Sequence, residues 1–148
     1  MDTLSFKTIS VNKATAQKEW VVVDATDQVM GRFCSKVAKL LRGKYKPSFT
    51  PNVDCGDFVI IVNTDQAVLT GKKLDQKKYY HFTGWIGNLK ETKYRHLMEK
   101  RSDFAMELAV KGMLPKNSIG RAALTRLKLY TGAEHKHAAQ KPEPWTMD

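Results

Sequence analysis

Val110-Lys111-Gly112-Met113-Leu114-Pro115-Lys116-Asn117-Ser118-Ile119-Gly120-Arg121-Ala122-Ala123-Leu124-Thr125-Arg126-Leu127-Lys128-Leu129-Tyr130 holds a helix end, a helix start and a strand in one run. Gly112 predicts the end of the first helix. Glycine takes the left-handed conformation that closes helices, and Pro115, three residues on, cannot continue the turn. Asn117 or Ser118 predicts the start of the second, since either side chain can cap free N–H groups. At about 100° per residue, Ile119, Ala123, Leu124 and Leu127 share one apolar arc, with Arg121 and Thr125 outside it. The pattern then alternates. Leu127 and Leu129 face one way, Lys128 and Tyr130 the other, as in a short strand. The same run has a basic side made of Lys111, Lys116, Arg121, Arg126 and Lys128, and no acid occurs between Glu107 and Glu134. Charge alone reads equally as a solvated helical face or as a surface for a polyanion.

Working outward, 148 residues suit one domain with a proper core. The net charge of +10 points to a polyanionic partner. It is unevenly placed: residues 1–69 hold nine Lys/Arg against seven Asp/Glu, and residues 70–148 hold sixteen against eight. Nucleic acid fits that asymmetry. An anionic membrane would want a basic amphipathic helix with bulky apolar anchors, and the one candidate, residues 33–41, reads better as core. The densest apolar run, Phe58-Val59-Ile60-Ile61-Val62, is far shorter than the roughly twenty residues of a membrane span. Cys34 and Cys55 form no CxxC pair and read as free buried thiols of a reducing compartment. With no apolar signal segment at the start, a cytosolic location is expected.

Residues 1–18 read as an irregular arm. Trp20-Val21-Val22-Val23-Asp24 is β-branched, as in a strand buried on both faces. A turn leads to a helix from Gly31 to Gly43, with Phe33, Val37, Leu40 and Leu41 on one face and Arg32, Lys36 and Lys39 on another. Pro47, Pro51 and Gly56 make residues 45–56 a loop, in which Asp54 and Asp57 read as turn and capping carboxylates rather than a catalytic pair. Residues 58–63 are a second buried strand, and residues 68–71 a short third one. Two apolar strands around an amphipathic helix imply a βαβ crossover and a parallel sheet.

Residues 72–90 change character. Lys72, Lys73, Lys77 and Lys78 precede Tyr79-Tyr80-His81-Phe82-Thr83-Gly84-Trp85-Ile86-Gly87. Cations among aromatics and glycines suit RNA: lysine neutralises phosphate, and flat rings stack on splayed bases. A hairpin with its rings in the core is an equal reading. Gly84 to Gly87 also matches the GxxG string of KH domains, which needs a helix on either side. Residues 91–111 are read as helical in two pieces. Tyr94, Leu97 and Met98 form the first apolar face. Ser102 or Asp103 caps a restart, whose apolar side holds Phe104, Ala105, Leu108 and Ala109. Residues 131–148, with Pro142 and Pro144, read as a tail with little structure of its own.

No catalytic string is present: no GxSxG, HExxH, GxGxxG or P-loop. His135-Lys136-His137 lacks a third metal ligand nearby, and nothing orients His81 toward Cys55. No cofactor, metal or small-molecule substrate is expected, and no enzyme. A small α/β enzyme holding a phosphorylated ligand at the helix start near Gly31 is the weaker alternative.

These residues resemble the L-thirteen family of large-subunit ribosomal proteins, in its bacterial form. The likeness runs from about Trp20 to Pro142. It rests on Val22-Val23-Asp24-Ala25, Gly31-Arg32, Leu41-Arg42-Gly43-Lys44 and Val53-Asp54-Cys55-Gly56-Asp57. It rests further on Gly112-Met113-Leu114-Pro115-Lys116, Gly120-Arg121-Ala122, Leu127-Lys128-Leu129-Tyr130-Thr131-Gly132, and the ending from Glu134 to Pro142. The chain departs from the family at Asp27, where glycine is usual, at Asn52, where histidine is frequent, and at Leu124, where an aromatic is common.

The resemblance implies a three-layer α/β/α domain around a four-stranded parallel sheet, over residues 19–132, with extended terminal segments at 1–18 and 133–148. It implies a structural component of the large (50S) subunit that binds ribosomal RNA beside other ribosomal proteins, takes part in early assembly and has no catalytic role. Some relatives are also linked to mRNA binding and translational control, so a free RNA-binding regulator is a further alternative. Likeness and charge together place the expected RNA contacts on four groups. They are Arg32, Lys36, Lys39, Arg42 and Lys44; Lys72, Lys73, Lys77, Lys78, Tyr80, His81, Gly84, Trp85 and Gly87; Lys111, Lys116, Arg121, Arg126 and Lys128; and His135 and His137. Most such contacts should go to phosphate and sugar, and each neutralised phosphate should add roughly 0.7 to 0.9 to the log–log salt slope.

Overall fold

The structure is a computed structural model that describes residues 10–146. The first half of the expected arm, residues 1–9, lies outside the described residues. In chain order the elements are β1 (Trp20–Asp24), α1 (Met30–Arg42), β2 (Phe58–Val62), α2 (Lys73–Gln76), β3 (Lys78–Phe82) and β4 (Leu89–Lys93). They continue with α3 (Tyr94–Met113), α4 (Ser118–Thr125), β5 (Leu127–Leu129) and β6 (Glu143–Pro144). The main sheet has the order β5-β2-β1-β6 with every pair parallel, and β3 and β4 form a separate antiparallel hairpin. The fold is the expected α/β domain on a four-stranded parallel sheet with helices packed around it.

Register explains the layers. Val21 lies beside Val59 and Val59 beside Leu127, while Val23 lies beside Ile61 and Ile61 beside Leu129. Paired residues project to the same side of a sheet. This face joins Phe33, Val37 and Leu41 of α1, Ala105, Met106 and Val110 of α3, and Ala123 of α4 in one core. On the opposite face Trp20 stacks on Phe58 with ring centres 4.4 Å apart, and His137 packs on Trp20 at 5.1 Å. The third layer is therefore thin: aromatic rings under the C-terminal segment, with one 3-10 turn at Ala138–Gln140.

Helix α1 ends as expected, at Gly43 with φ 72°. A Cβ there would also stand 2.6 Å from the Cys55 carbonyl oxygen, so the cap and the returning loop both require glycine. Asp27 has φ 55°, in the left-handed region that glycine favours. Both cysteines are free and buried, and burial pushes the Cys34 thiol up to about 12.

Several expectations need correction. Residues 131–146 are not a bare tail, because β6 supplies the outer strand beside β1. A two-residue strand with Pro142 and Pro144 around it carries no alternation to read. Residues 68–71 form no third strand, only a single bridge from Val68 to Val29. Helix α3 runs through Gly112 to Met113, and Leu114, extended at ψ 151°, is its cap. Pro115 sets that stop, since the residue before a proline is driven out of the helical region.

The division of this helical stretch in two is seen at Arg101 (φ −152°, ψ 72°), although residues 91–93 belong to β4. Ser102 uses its hydroxyl on buried Thr64, 2.9 Å away. The buried face beyond the kink is centred on Ala105, Met106 and Val110, with Phe104 and Leu108 only partly covered. Asp54 and Asp57 are not turn caps either. They anchor ion pairs to distant lysines and an arginine.

Candidate nucleic-acid interface

The corner between α3 and α4 forms as its residues dictate. Asn117 caps α4, its side-chain oxygen accepting from the Gly120 N–H at 2.8 Å. A Cβ on Gly120 would fall 1.8 Å from the Pro115 carbonyl oxygen, so only glycine lets the corner close. Arg121 and Thr125 are exposed while Ala123 is fully buried, as the apolar arc predicts.

Three clefts meet around the end of α3. Lys111, Lys116 and Arg121 line one of about 200 Å³ with Leu114, Pro115 and Leu124. Lys39, Arg42 and Lys44 line a second, of about 160 Å³, which reaches Met113. Lys73 and Lys77 line a third, apolar one of about 700 Å³ that also reaches Gly112 and Met113. Cations far apart in sequence are thus gathered around one helix end. None of these eight has a carboxylate partner among the described residues. Arg32 is exposed, and Lys36 is partly covered, on the same helix α1.

Not every expected contact lies on this surface. Arg126 is buried at 4% exposure. Its guanidinium donates to both carboxylate oxygens of Asp54 and, at 2.9 Å, to the Leu41 carbonyl. It falls in the turn between α4 and β5, where a helical projection does not apply. Lys128 is half-buried on edge strand β5, in a cleft that Asp103 and Glu107 also line. His135 and His137 are half-buried. His135 Nδ1 accepts from the His137 N–H, and both rings pack near Tyr130.

The hairpin divides its rings. Tyr79 turns inward and stacks on Tyr94 at 5.4 Å, with the Lys77 ammonium 4.9 Å from the Tyr94 ring centre. Tyr80, Phe82 and Trp85 face outward, at 59%, 58% and 77% exposure. Gly84 and Gly87, at φ 96° and 78°, close the turn. Their GxxG string therefore lies between two strands, not between helices as a KH loop needs. Lys90 and Lys93 on β4 are exposed cations that sequence reading missed. Residues 91–93 are expected as the start of a helix, and Leu89-Lys90-Glu91-Thr92-Lys93 carries no alternation that would mark a strand.

Cys55 is buried and His81 lies exposed on β3. Among the described residues no group of three or more His, Cys, Asp or Glu could hold a metal ion, and no helix is long and apolar enough to cross a membrane.

Comparison with known proteins shows the family. The large ribosomal subunit protein uL13 of Caldanaerobacter subterraneus subsp. tengcongensis is 51% identical over 137 residues, covering 93% of this chain and 96% of that protein. The uL13 of Beutenbergia cavernae is 53% identical over 141 residues, covering 95% and 96%. That of Ruminiclostridium cellulolyticum is 55% identical over 137 residues, covering 93% and 95%. The family model described as Ribosomal protein L13 matches residues 18–136, from before β1 to the segment that packs on Trp20. This chain belongs to the ribosomal protein L13 family.

Proposed function

We propose that the protein is a structural component of the large ribosomal subunit in the cytoplasm, binding ribosomal RNA beside neighbouring ribosomal proteins and taking part in early assembly, with no reaction of its own. The observation that carries the reading is the convergence, on the end of α3, of cations that have no carboxylate partner among the described residues. Folded RNA presents a dense phosphate surface, and cations that neutralise it release counterions. A rigid corner fixed by Asn117, Pro115 and Gly120 holds Lys111, Lys116 and Arg121 in set positions, which suits recognition by shape.

The test has two arms. In moderate salt the protein should co-sediment with large subunits, and a protein found only off the ribosome would make it a free RNA-binding regulator. Binding to large-subunit RNA fragments should weaken steeply with salt. Tight, salt-insensitive binding of a mononucleotide instead would support the phosphate-ligand enzyme.

A further inference from the structure

The outward face of the β3–β4 hairpin is an exposed apolar surface that the fold does not explain. In this antiparallel register Tyr80 lies opposite Glu91, and Phe82 opposite Leu89. These four project to one side, and Tyr79, His81, Lys90 and Thr92 to the other. The outward side is a stripe of Tyr80, Phe82 and Leu89, continued at the turn by Trp85 and Ile86, each more than half exposed. None of the described residues buries it. Hairpins of this length are marginal alone, and this one is tied down through its inner face, where Tyr79 stacks on Tyr94. The outer rings are therefore not needed to hold it in place.

We infer that this face is a stacking platform for unpaired RNA bases. Tyr80 and Phe82 stand two residues apart on one strand, about 7 Å, a spacing at which two splayed bases can each lie on a ring. Charge selects the occupant. Residues 72–93 carry six lysines against Asp75 and Glu91, and both acids are already paired, with Arg95 and Lys78. Lys78 and Lys93, paired at the foot of the hairpin, project to the same side as Tyr80 and Phe82, where cations can meet phosphates while the rings meet bases. Gly84 and Gly87 keep side-chain bulk away from the turn, so the RNA can approach Trp85. This rests on the RNA-binding reading and narrows it to single-stranded nucleotides at this face.

The experiment compares the full-length protein with a Tyr80→Ala/Phe82→Ala double variant and with Trp85→Ala. The probes are a short unstructured RNA and the blunt duplex made from it. Loss of each ring should weaken single-strand binding on the order of 10-fold to 100-fold, with duplex binding and the salt slope unchanged, since stacking moves no counterions. A Tyr80→Phe/Phe82→Tyr variant should restore affinity, and melting temperatures should stay at the parent value. Equal affinity for single strands with and without the rings overturns the inference. So does unchanged RNA binding with loss of the double variant from large subunits, which would make the face a protein dock. If the parent protein binds neither RNA nor subunits, the functional reading itself falls.

Discussion

Arg126, in the turn between α4 and β5, holds Asp54 of the loop before β2 through two guanidinium nitrogens, and reaches the Leu41 carbonyl at the end of α1. One buried cation thus joins three segments that are distant in the chain. Removing it leaves Asp54 with Lys18, at 2.9 Å, as its one cation among the described residues. Arg126→Ala should cost roughly 3–5 kcal/mol, the range for breaking a buried pair. Arg126→Lys should rescue little, because a lysine cannot reproduce the fork. Urea unfolding checks both. Unchanged stability with weakened RNA binding would return Arg126 to the interface.

The same pair sets an acid limit. Burial tends to raise the Asp54 carboxyl, but hydrogen bonds and charge from Arg126 and Lys18 outweigh it and hold the group below its ordinary value of 3.8. A carboxyl depressed on folding contributes stability that is fully present above its unfolded pKa and is lost as pH falls through its folded pKa. The contribution should be constant at neutral pH and disappear in acid below about the ordinary carboxyl range. Urea midpoints measured against pH should show a shallower acid decline in Asp54→Asn than in the parent. Parallel curves would mean the pair is not linked to folding.

The burial of Arg126 marks a limit of what a helical pattern reveals. Helical projection works while a residue stays in the helix, so Arg121 and Ala123 fell on the correct sides. Arg126 is the cap of α4, and its direction is set by the partners that the fold brings to it. The parallel sheet was legible because β1 and β2 are β-branched runs around an amphipathic helix. The outer strand was not, since Glu143 and Pro144 pair through backbone geometry alone. At the candidate interface, cations inside one segment were legible. The meeting of those of α1 and α2 around Met113 was not, because that depends on how α1 and α2 pack against α3.

Arg121 tests the interface directly. It is exposed and off the apolar arc, beside Lys111 and Lys116. Arg121→Glu should weaken binding to large-subunit RNA and lower the salt slope by roughly 0.7 to 0.9 or more, one phosphate contact being lost and a repulsion added. Stability should change by less than about 0.5 kcal/mol, as at other surface sites. A large fall in melting temperature with unchanged affinity would show that Arg121 serves packing instead.

Gly120 tests whether the corner geometry matters. Its backbone lies so near Pro115 that an added methyl group must displace the chain. Gly120→Ala should cost about 1–3 kcal/mol, as overpacking does, and should also reduce RNA affinity by moving Lys116 relative to Arg121. Ala122→Gly, at an exposed position on the same helix, should lose roughly 0.5–1 kcal/mol through helix propensity alone and leave affinity intact. Equal effects from the two would show that generic helix weakening, rather than the corner, is what binding responds to.

The C-terminal segment offers the sharpest contrast between appearance and role. It is polar, yet the Trp145 N–H donates to the Val22 carbonyl at 2.9 Å, and Trp145 meets Tyr45 edge-on at 5.2 Å. His137 covers Trp20. A chain ending at Gly132 would take His137 off the Trp20 ring and leave the outer edge of β1 without β6. Unpaired strand edges recruit other chains. The shortened protein should lose about 1–3 kcal/mol, comparable to uncovering one large side chain, and should self-associate as concentration rises. With only Lys136 and Lys141 removed as cations, its salt slope for RNA should fall by no more than roughly 2. Light scattering, melting temperature and RNA titration read these separately. A monomeric, equally stable truncation would show that β6 follows the fold without supporting it. A collapse of the salt slope would show instead that the segment lies on the RNA.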